Sequence, residues 1–345
     1  MNNPYSLVFG IEPDEYVSRI SQKQEVVNAF IEGTQRLYMV TGVRGSGKTV
    51  FMSDIKNVFK GRKDWVVIEL TTERDMLTGL AGKLSSDEKL GAAFKSAKLN
   101  LSLFGIGVEI KNVAPIADIE VALQRMLSIL KKQGKKLLVA VDEVVDNDKM
   151  REFASVFQIL LRDEIPINLI MTGLYENIDD LQNERNLTFL HRAPKLILNP
   201  LNIGSMSESY RKNLKVSENE AIKMAQLTRG YSYAFQVLGY CAWERKESYD
   251  AIIPEVKQYL EEFVYDKIWS ELSNKDRKVL KAIADNPSGK IADIRKQLGM
   301  EPNEFSPYKK RLVRKGLIME ETGYAKLTLP LFDRFVIENY FEEVG

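Results

Sequence analysis

The hydrophobic period of the chain changes twice. Through residues 1–200, short apolar runs alternate with longer stretches of helical period. Leu37-Tyr38-Met39-Val40, Trp65 to Leu70, Leu137 to Val141, Ile167 to Gly173 and Lys195 to Leu198 have strand length. Between them, Val50 to Phe59, Arg74 to Leu84, Asp118 to Lys132 and Glu152 to Leu161 read as helices. Strands that are apolar at nearly every position are buried on both faces, so the pattern predicts a parallel sheet covered by helices, an α/β fold.

One stretch breaks the alternation. Leu99, Leu101 and Leu103 alternate with polar residues, and Ile106, Val108 and Ile110 do the same after a switch of parity. A two-residue turn at Phe104-Gly105 would pair them on one face of a hairpin insertion at about 98–112. From 201 to 269 the pattern is wholly helical. Ser217 to Glu220 has a capping-box spacing, and Tyr233 to Arg245 and Ala251 to Ile268 are further helices, which together predict an all-α lid. From 270 to 345 a third pattern starts. Ser273 to Asp276 opens one helix, and Ile291 to Leu298 forms a second, stopped by Gly299. A third ends at Gly316, beginning either near Pro302 or with Ser306 as N-cap and Pro307 at its first position. Leu317 to Met319 and Ala325 to Leu329 then flank Glu321-Thr322-Gly323 as a hairpin. Three helices and a hairpin are the winged helix-turn-helix plan.

The chemistry is concentrated after the first and third strands. Gly42, Val43, Arg44, Gly45, Ser46, Gly47, Lys48 and Thr49 fit G-x-x-x-x-G-K-[ST]. Glycines there let backbone N–H groups turn around a triphosphate; Lys48 would reach the β- and γ-phosphates, and the Thr49 hydroxyl would ligate Mg²⁺. The helix that follows adds the positive end of its dipole. Asp142 and Glu143 end the third strand. In a parallel sheet Asp142 would hold the Mg²⁺ shell and Glu143 would polarise the attacking water, which predicts ATP hydrolysis rather than binding alone. Asp146, Asn147 and Asp148 read as a turn and helix start, since no glycine sits where an EF-hand requires one.

Composition narrows the class. Of 345 residues, 44% are hydrophobic, with one cysteine, Cys241, and one histidine, His191. That excludes a disulfide framework and a Cys/His zinc site, and Cys241 reads as a core thiol in a reducing, cytoplasmic protein. There is no membrane-span pattern and no signal-peptide pattern. Net charge is +1, but residues 275–318 carry twelve Lys/Arg against five Asp/Glu, a balance of +7 that leaves −6 for the rest. That asymmetry predicts an anionic partner, duplex DNA, for the C-terminal part. Lys309, Lys310, Arg311, Arg314 and Lys315 crowd the third helix, and Tyr324 and Lys326 sit on the wing.

With these parts in order, the chain resembles AAA+-type ATPases of the archaeal and bacterial STAND-like and origin-recognition branch: P-loop core, lid, winged helix. The resemblance implies roles for further residues. Tyr16, Val17 and Arg19 match a box that packs near adenine, with Ser18 where the box usually has glycine. Thr172 takes the sensor-1 place at the end of a strand, where it would orient water or read the γ-phosphate. Arg192 stands where the family often puts an arginine that reaches a neighbouring subunit's γ-phosphate, and Pro200-Leu201 resembles the lid hinge. No arginine follows Gly230, where origin-recognition lids carry one. Arg229 to Phe235 is closer to the STAND pattern, in which an aromatic stretch packs near the base. The implied function is a slowly hydrolysing ATP switch coupled to DNA. The alternative is a STAND-type signalling ATPase whose winged helix is an intramolecular or protein-contact domain and whose nucleotide state controls assembly, as a homo-oligomer or with a protein partner.

Overall fold

The computed structural model describes residues 2–8, 12–107 and 110–340. The chain packs as two compact units. One comprises Ile20–Thr41 and Phe51–Ile197 and is built on a five-stranded sheet. Its elements are α1 (Ile20–Glu32), β1 (Leu37–Thr41), α2 (Lys48–Lys60, of which Phe51 onward lies here), β2 (Trp65–Leu70), α3 (Met76–Ser86), α4 (Glu88–Ser96), α5 (Ile119–Lys132), β3 (Lys136–Val141), α6 (Asp148–Arg162), β4 (Ile167–Gly173), α7 (Tyr175–Gln182) and β5 (Lys195–Ile197). The strand order is β2-β3-β4-β1-β5, and every pairing is parallel. β1 and β4 are buried at every position, and β3 at all but its first. This is why these strands read as unbroken apolar runs. The helices begin where their caps stand: Asp75, Asp118 and Asn147 each accept a backbone N–H from the first turn of α3, α5 and α6.

Among the described residues, the expected hairpin at 98–112 is not formed. Ser102–Phe104 is a single 3₁₀ turn closed by Gly105 in the left-handed region, φ 68°. Leu101 is buried while Leu103 is exposed, so the alternation does not mark one face of a strand. Asn100 organises the segment instead. Its buried side chain donates to the Val113 carbonyl at 2.8 Å, and its carbonyl accepts from the Ile116 N–H at 2.9 Å. Regularly spaced apolar residues here are loop anchors around a satisfied polar group. Val108, also part of that expectation, lies outside the described residues.

The second unit gathers the N-terminal segment through Arg19, residues Gly42–Val50, and the chain from Leu198 onward. It contains α8 (Ile203–Leu214), α9 (Glu218–Leu227), α10 (Ser232–Arg245), α11 (Tyr249–Leu260), α12 (Asp266–Ser270), α13 (Asn274–Ala284), α14 (Ile291–Leu298), α15 (Pro302–Arg314), the antiparallel pair β6 (Ile318–Glu321) and β7 (Tyr324–Leu327), and α16 (Phe332–Asn339). A π turn at Glu261–Tyr265 interrupts the helix expected from Ala251 to Ile268. The α15 alternatives resolve to the earlier start: Glu301 caps it, in a reciprocal box with Glu304, and Pro302 takes its first position. One apolar core runs through this unit, from Tyr5, Tyr210 and Phe235 to Leu280, Leu312 and Phe332. Tyr5 lies against Gly239, where a Cβ would enter its ring, and shares a hydrogen bond with the Ser209 hydroxyl.

Among the described residues, no helix is long and apolar enough to cross a membrane. Cys241 lies on α10, 1% exposed, and burial pushes its thiol up to about 12. A thiol reagent at pH 8 should therefore label the folded protein at least about 10³-fold more slowly than the urea-unfolded chain. Rapid stoichiometric labelling of folded protein would remove Cys241 from this core.

Candidate functional site

The loop between β1 and α2 bends at Gly45 (φ 75°) and Gly47 (φ 85°), conformations that a side chain strains and glycine adopts freely. Its Ser46 N–H closes a turn on the Val43 carbonyl at 3.1 Å. The Lys48 ammonium folds back over the loop, donating to the carbonyls of Gly42 at 3.0 Å and Val43 at 3.2 Å. Thr49 follows in the first turn of α2.

The next three carbonyls are held from outside the loop. The Tyr231 hydroxyl donates to the Arg44 carbonyl at 2.6 Å. The Tyr233 N–H donates to the Gly45 carbonyl at 3.1 Å. The Ser46 carbonyl accepts from both the Ser232 hydroxyl and the Arg19 guanidinium, each at 2.8 Å. Arg19 also donates to the Asn199 carbonyl at 2.6 Å and to Ser232 at 3.1 Å. Burial pulls its guanidinium down to about 10, which leaves it charged at neutral pH. Apart from Arg19, these donors come from the start of α10, a helix whose N-cap, Tyr231, makes no side-chain capping bond. A helix N-terminus leaves unpaired N–H groups, and here a carbonyl of the glycine loop takes one of them. Gly45 is not a position that the phosphate-loop motif requires. Any Cβ there would collide with the Tyr231 hydroxyl.

The second cluster lies at the carboxyl edge of the sheet. Val40 of β1 pairs with Thr172 of β4, and Met171 pairs with Val141 of β3, so Thr172 is level with Asp142. The fully buried Thr172 hydroxyl donates to Asp142 Oδ1, as does the Glu143 N–H at 3.0 Å. Glu143 is exposed and has φ 51°, the left-handed region, which costs a side-chain-bearing residue about 1–3 kcal/mol. The Val144 N–H returns to the Thr172 carbonyl at 2.8 Å and locks this turn. Asp146 forms a two-point ion pair with Arg151, at 2.8 and 2.7 Å, and Asn147 caps α6. Those residues serve the helix start. Thr49 and Asp142 each carry an oxygen donor of the kind that a hard ion such as Mg²⁺ takes. No group of three or more His, Cys, Asp or Glu fit to hold a metal is found among the described residues.

The remaining expected residues fall as follows. Val17 packs partly buried against the core of its unit, and Tyr16 is half-buried beside it in sequence. Arg192 is exposed at the end of a 3₁₀ turn before β5. Pro200 lies against Gly230, whose carbonyl accepts from the Leu201 N–H at 2.8 Å. On α15, Arg311 reaches Asp276 of α13, with Nη2 at 2.6 Å and Nε at 3.1 Å from Oδ1, and Asp276 is 3% exposed. Lys309 is paired with Glu320 of β6. Both ion pairs serve the fold. Lys310 and Arg314 are exposed, Lys315 is half-buried, and Tyr324 and Lys326 are exposed on β7.

Sequence reasoning missed the work of Tyr231 and Ser232, placing their aromatic stretch near a base by resemblance; the surplus glycine at 45 was the available signal. Arg229, just before Gly230, has a role that the sequence pattern does not reveal. Its guanidinium donates to the carbonyls of Leu327 at 2.9 Å and Leu329 at 3.0 Å.

Residues 17–165 match the family described as an ATPase domain predominantly from Archaea, and residues 262–336 match a family described only as a domain of unknown function. No curated protein matches the sequence. Among solved structures, a Walker-type ATPase of Pyrococcus abyssi is 16% identical, with a TM-score of 0.68 over 96% of this chain and 99% of that one. The ORC2 protein of Aeropyrum pernix, in ADPNP–ADP complexes, is 13% identical, with a TM-score of 0.59 over 96% and 95% of the two chains. Residues 17–165 are thus similar to an ATPase domain found predominantly in Archaea, and the chain as a whole shares the fold of the archaeal Walker-type and origin-recognition-like ATPases.

Proposed function

We propose that this chain is an ATP-hydrolysing switch whose output is duplex DNA binding by a winged helix formed by α13–β7. The observation that carries the catalytic half is Glu143. A left-handed backbone at a carboxylate residue, next to an Asp142 oriented by Thr172, is strain kept at a site where it has a use. ATP would bind through the amides of residues 42–49 with Lys48 against its β- and γ-phosphates. Mg²⁺, held by Thr49 and Asp142, would supply charge neutralisation at the phosphates. Glu143 would accept the proton of the attacking water, and Thr172 would fix the carboxylate beside it. Tyr16, Val17, Arg19 and Pro200 are assigned to the nucleotide-binding neighbourhood, Arg19 through its hold on the Ser46 carbonyl. Arg192 is assigned to a second copy's γ-phosphate. The division into core 1–200, lid 201–269 and winged helix 270–345 belongs to the same reading.

For DNA, the candidate contacts are Lys310, Arg314, Lys315, Tyr324 and Lys326, with Lys309 and Arg311 holding the module together. A second reading, a signalling ATPase with a protein-contacting C-terminal module, is favoured by one set of contacts. Arg229 holds the carbonyls that end the hairpin, Arg44 pairs with Glu271 at 3.4 Å, and Gly316 lies against Val43. These tie the module to the nucleotide loop.

Lys48→Ala should abolish ATP binding or hydrolysis in a titration and phosphate-release assay, and wild-type turnover would end the P-loop assignment. Glu143→Gln should keep ATP affinity and slow hydrolysis about 10²-fold or more. Glu143→Gly should lose the same activity while melting at the same temperature or higher, because glycine relieves the φ strain. A large loss of stability in the glycine variant would mean that Glu143 has a structural role.

The double reversal Lys310→Glu with Arg314→Glu should weaken duplex binding by about tenfold or more. It should also lower the slope of log affinity against log salt by about two, one per phosphate contact. DNA-independent ATP hydrolysis should persist. Undiminished duplex binding at low salt would make the protein-contact reading the better one.

A further inference from the structure

We propose that Tyr231 is a positioning residue for the phosphate loop: its hydroxyl fixes the direction of the Arg44–Gly45 peptide, so that the loop's amides are set for an anion. The inference rests on the reading of residues 42–49 as an ATP site. A trans peptide carries C=O and N–H in opposite directions. Turning the carbonyls of Arg44, Gly45 and Ser46 toward outside donors therefore turns the N–H groups of Gly45, Ser46 and Gly47 the other way, that of Ser46 onto the Val43 carbonyl across the loop's own turn. Such a run of amides is a nest for phosphate oxygens.

The three carbonyls are not held equally. That of Ser46 has two donors, Arg19 and Ser232, and that of Gly45 has a backbone N–H that no substitution removes. The Arg44 carbonyl is held by Tyr231. The residue after it is Gly45, whose freedom in φ would let this peptide turn over at little cost. The glycine that makes room for the phenol is thus also the residue that makes the phenol necessary. Tyr231 is 6% exposed, and burial raises its phenol well above the ordinary range, so it remains a donor through the physiological pH range.

A matched control lies in the same unit. The Tyr265 hydroxyl also donates to a backbone carbonyl, that of Pro330, at 2.6 Å, and the side chain is fully buried, but its partner is not in the phosphate loop. Tyr231→Phe and Tyr265→Phe each delete one buried phenol-to-carbonyl bond and keep the ring. The experiment measures ATP affinity by calorimetry, with Mg²⁺, on full-length wild-type, Tyr231→Phe, Tyr265→Phe and Ser232→Ala proteins. Melting without nucleotide is recorded in parallel. Loss of one buried hydrogen bond corresponds to about a tenfold change. Tyr231→Phe should weaken ATP about tenfold while Tyr265→Phe binds within about twofold of wild type. Ser232→Ala should lie between them, because Arg19 still holds the Ser46 carbonyl. Should Tyr231→Phe melt too low to be titrated, Ser232→Ala against Tyr265→Phe gives the same comparison. Equal ATP affinity in Tyr231→Phe and wild type overturns the inference and leaves the ATP site standing, as does equal weakening by both tyrosine variants. A wild-type protein that binds no ATP removes the site and the inference together.

Discussion

The direction of three peptide bonds is the constraint on which much else here depends. A loop that grips phosphate must present amides inward, and its carbonyls then need partners elsewhere, because buried unpaired carbonyls are costly. In this chain the partners come from the start of α10 and from Arg19. The requirement runs both ways. α10 starts without a capping side chain, and the Gly45 carbonyl takes one of its first-turn amides. The first turn of α10 is therefore part of the loop's own hydrogen-bonding shell. Residues 42–50 accordingly pack with the helical unit even though they leave directly from β1.

The C-terminal module shows how composition overstates a function. Residues 275–318 have a balance of +7, yet some of that charge is answered locally. Asp276 is almost fully buried, and a buried carboxylate needs a fixed cation. Arg311 supplies it with two nitrogens, and Lys309 is drawn to Glu320 on the hairpin. The charge presented outward is narrower than the sequence count, and Lys310 and Arg314 are among its exposed residues.

The α/β half was legible in the sequence because full burial writes itself as unbroken apolar runs, and because Asp118 and Asn147 are caps in their own right. The glycine loop was legible because backbone geometry restricts residue choice, and Asp142 and Glu143 follow directly on β3, where the apolar run ends in the sequence. The 98–112 segment misled because period-two alternation also arises when a loop dips its anchors into a core around one buried side chain, here Asn100. The strain at Glu143 has no sequence signature, since left-handed backbone at a non-glycine residue is imposed by the turn around it. The roles of Tyr231 and Arg229 were hidden for a different reason. Each bonds a carbonyl remote in sequence, and a carbonyl looks the same at every residue.

The helical unit is assembled from three separated pieces of chain, with Ile20–Thr41 and Phe51–Ile197 running between them. Synthesis from the ribosome therefore completes the sheet long before it completes the loop's shell. When Ile197 emerges, β1 to β5 can pair, but Ser232 and Tyr231 have not yet been made. A nascent chain at that stage carries every residue of the glycine loop, and Arg19, without the Tyr231, Ser232 and Tyr233 groups that hold its carbonyls. Nucleotide competence would then arrive as a late event in the life of each molecule, timed by the emergence of α10.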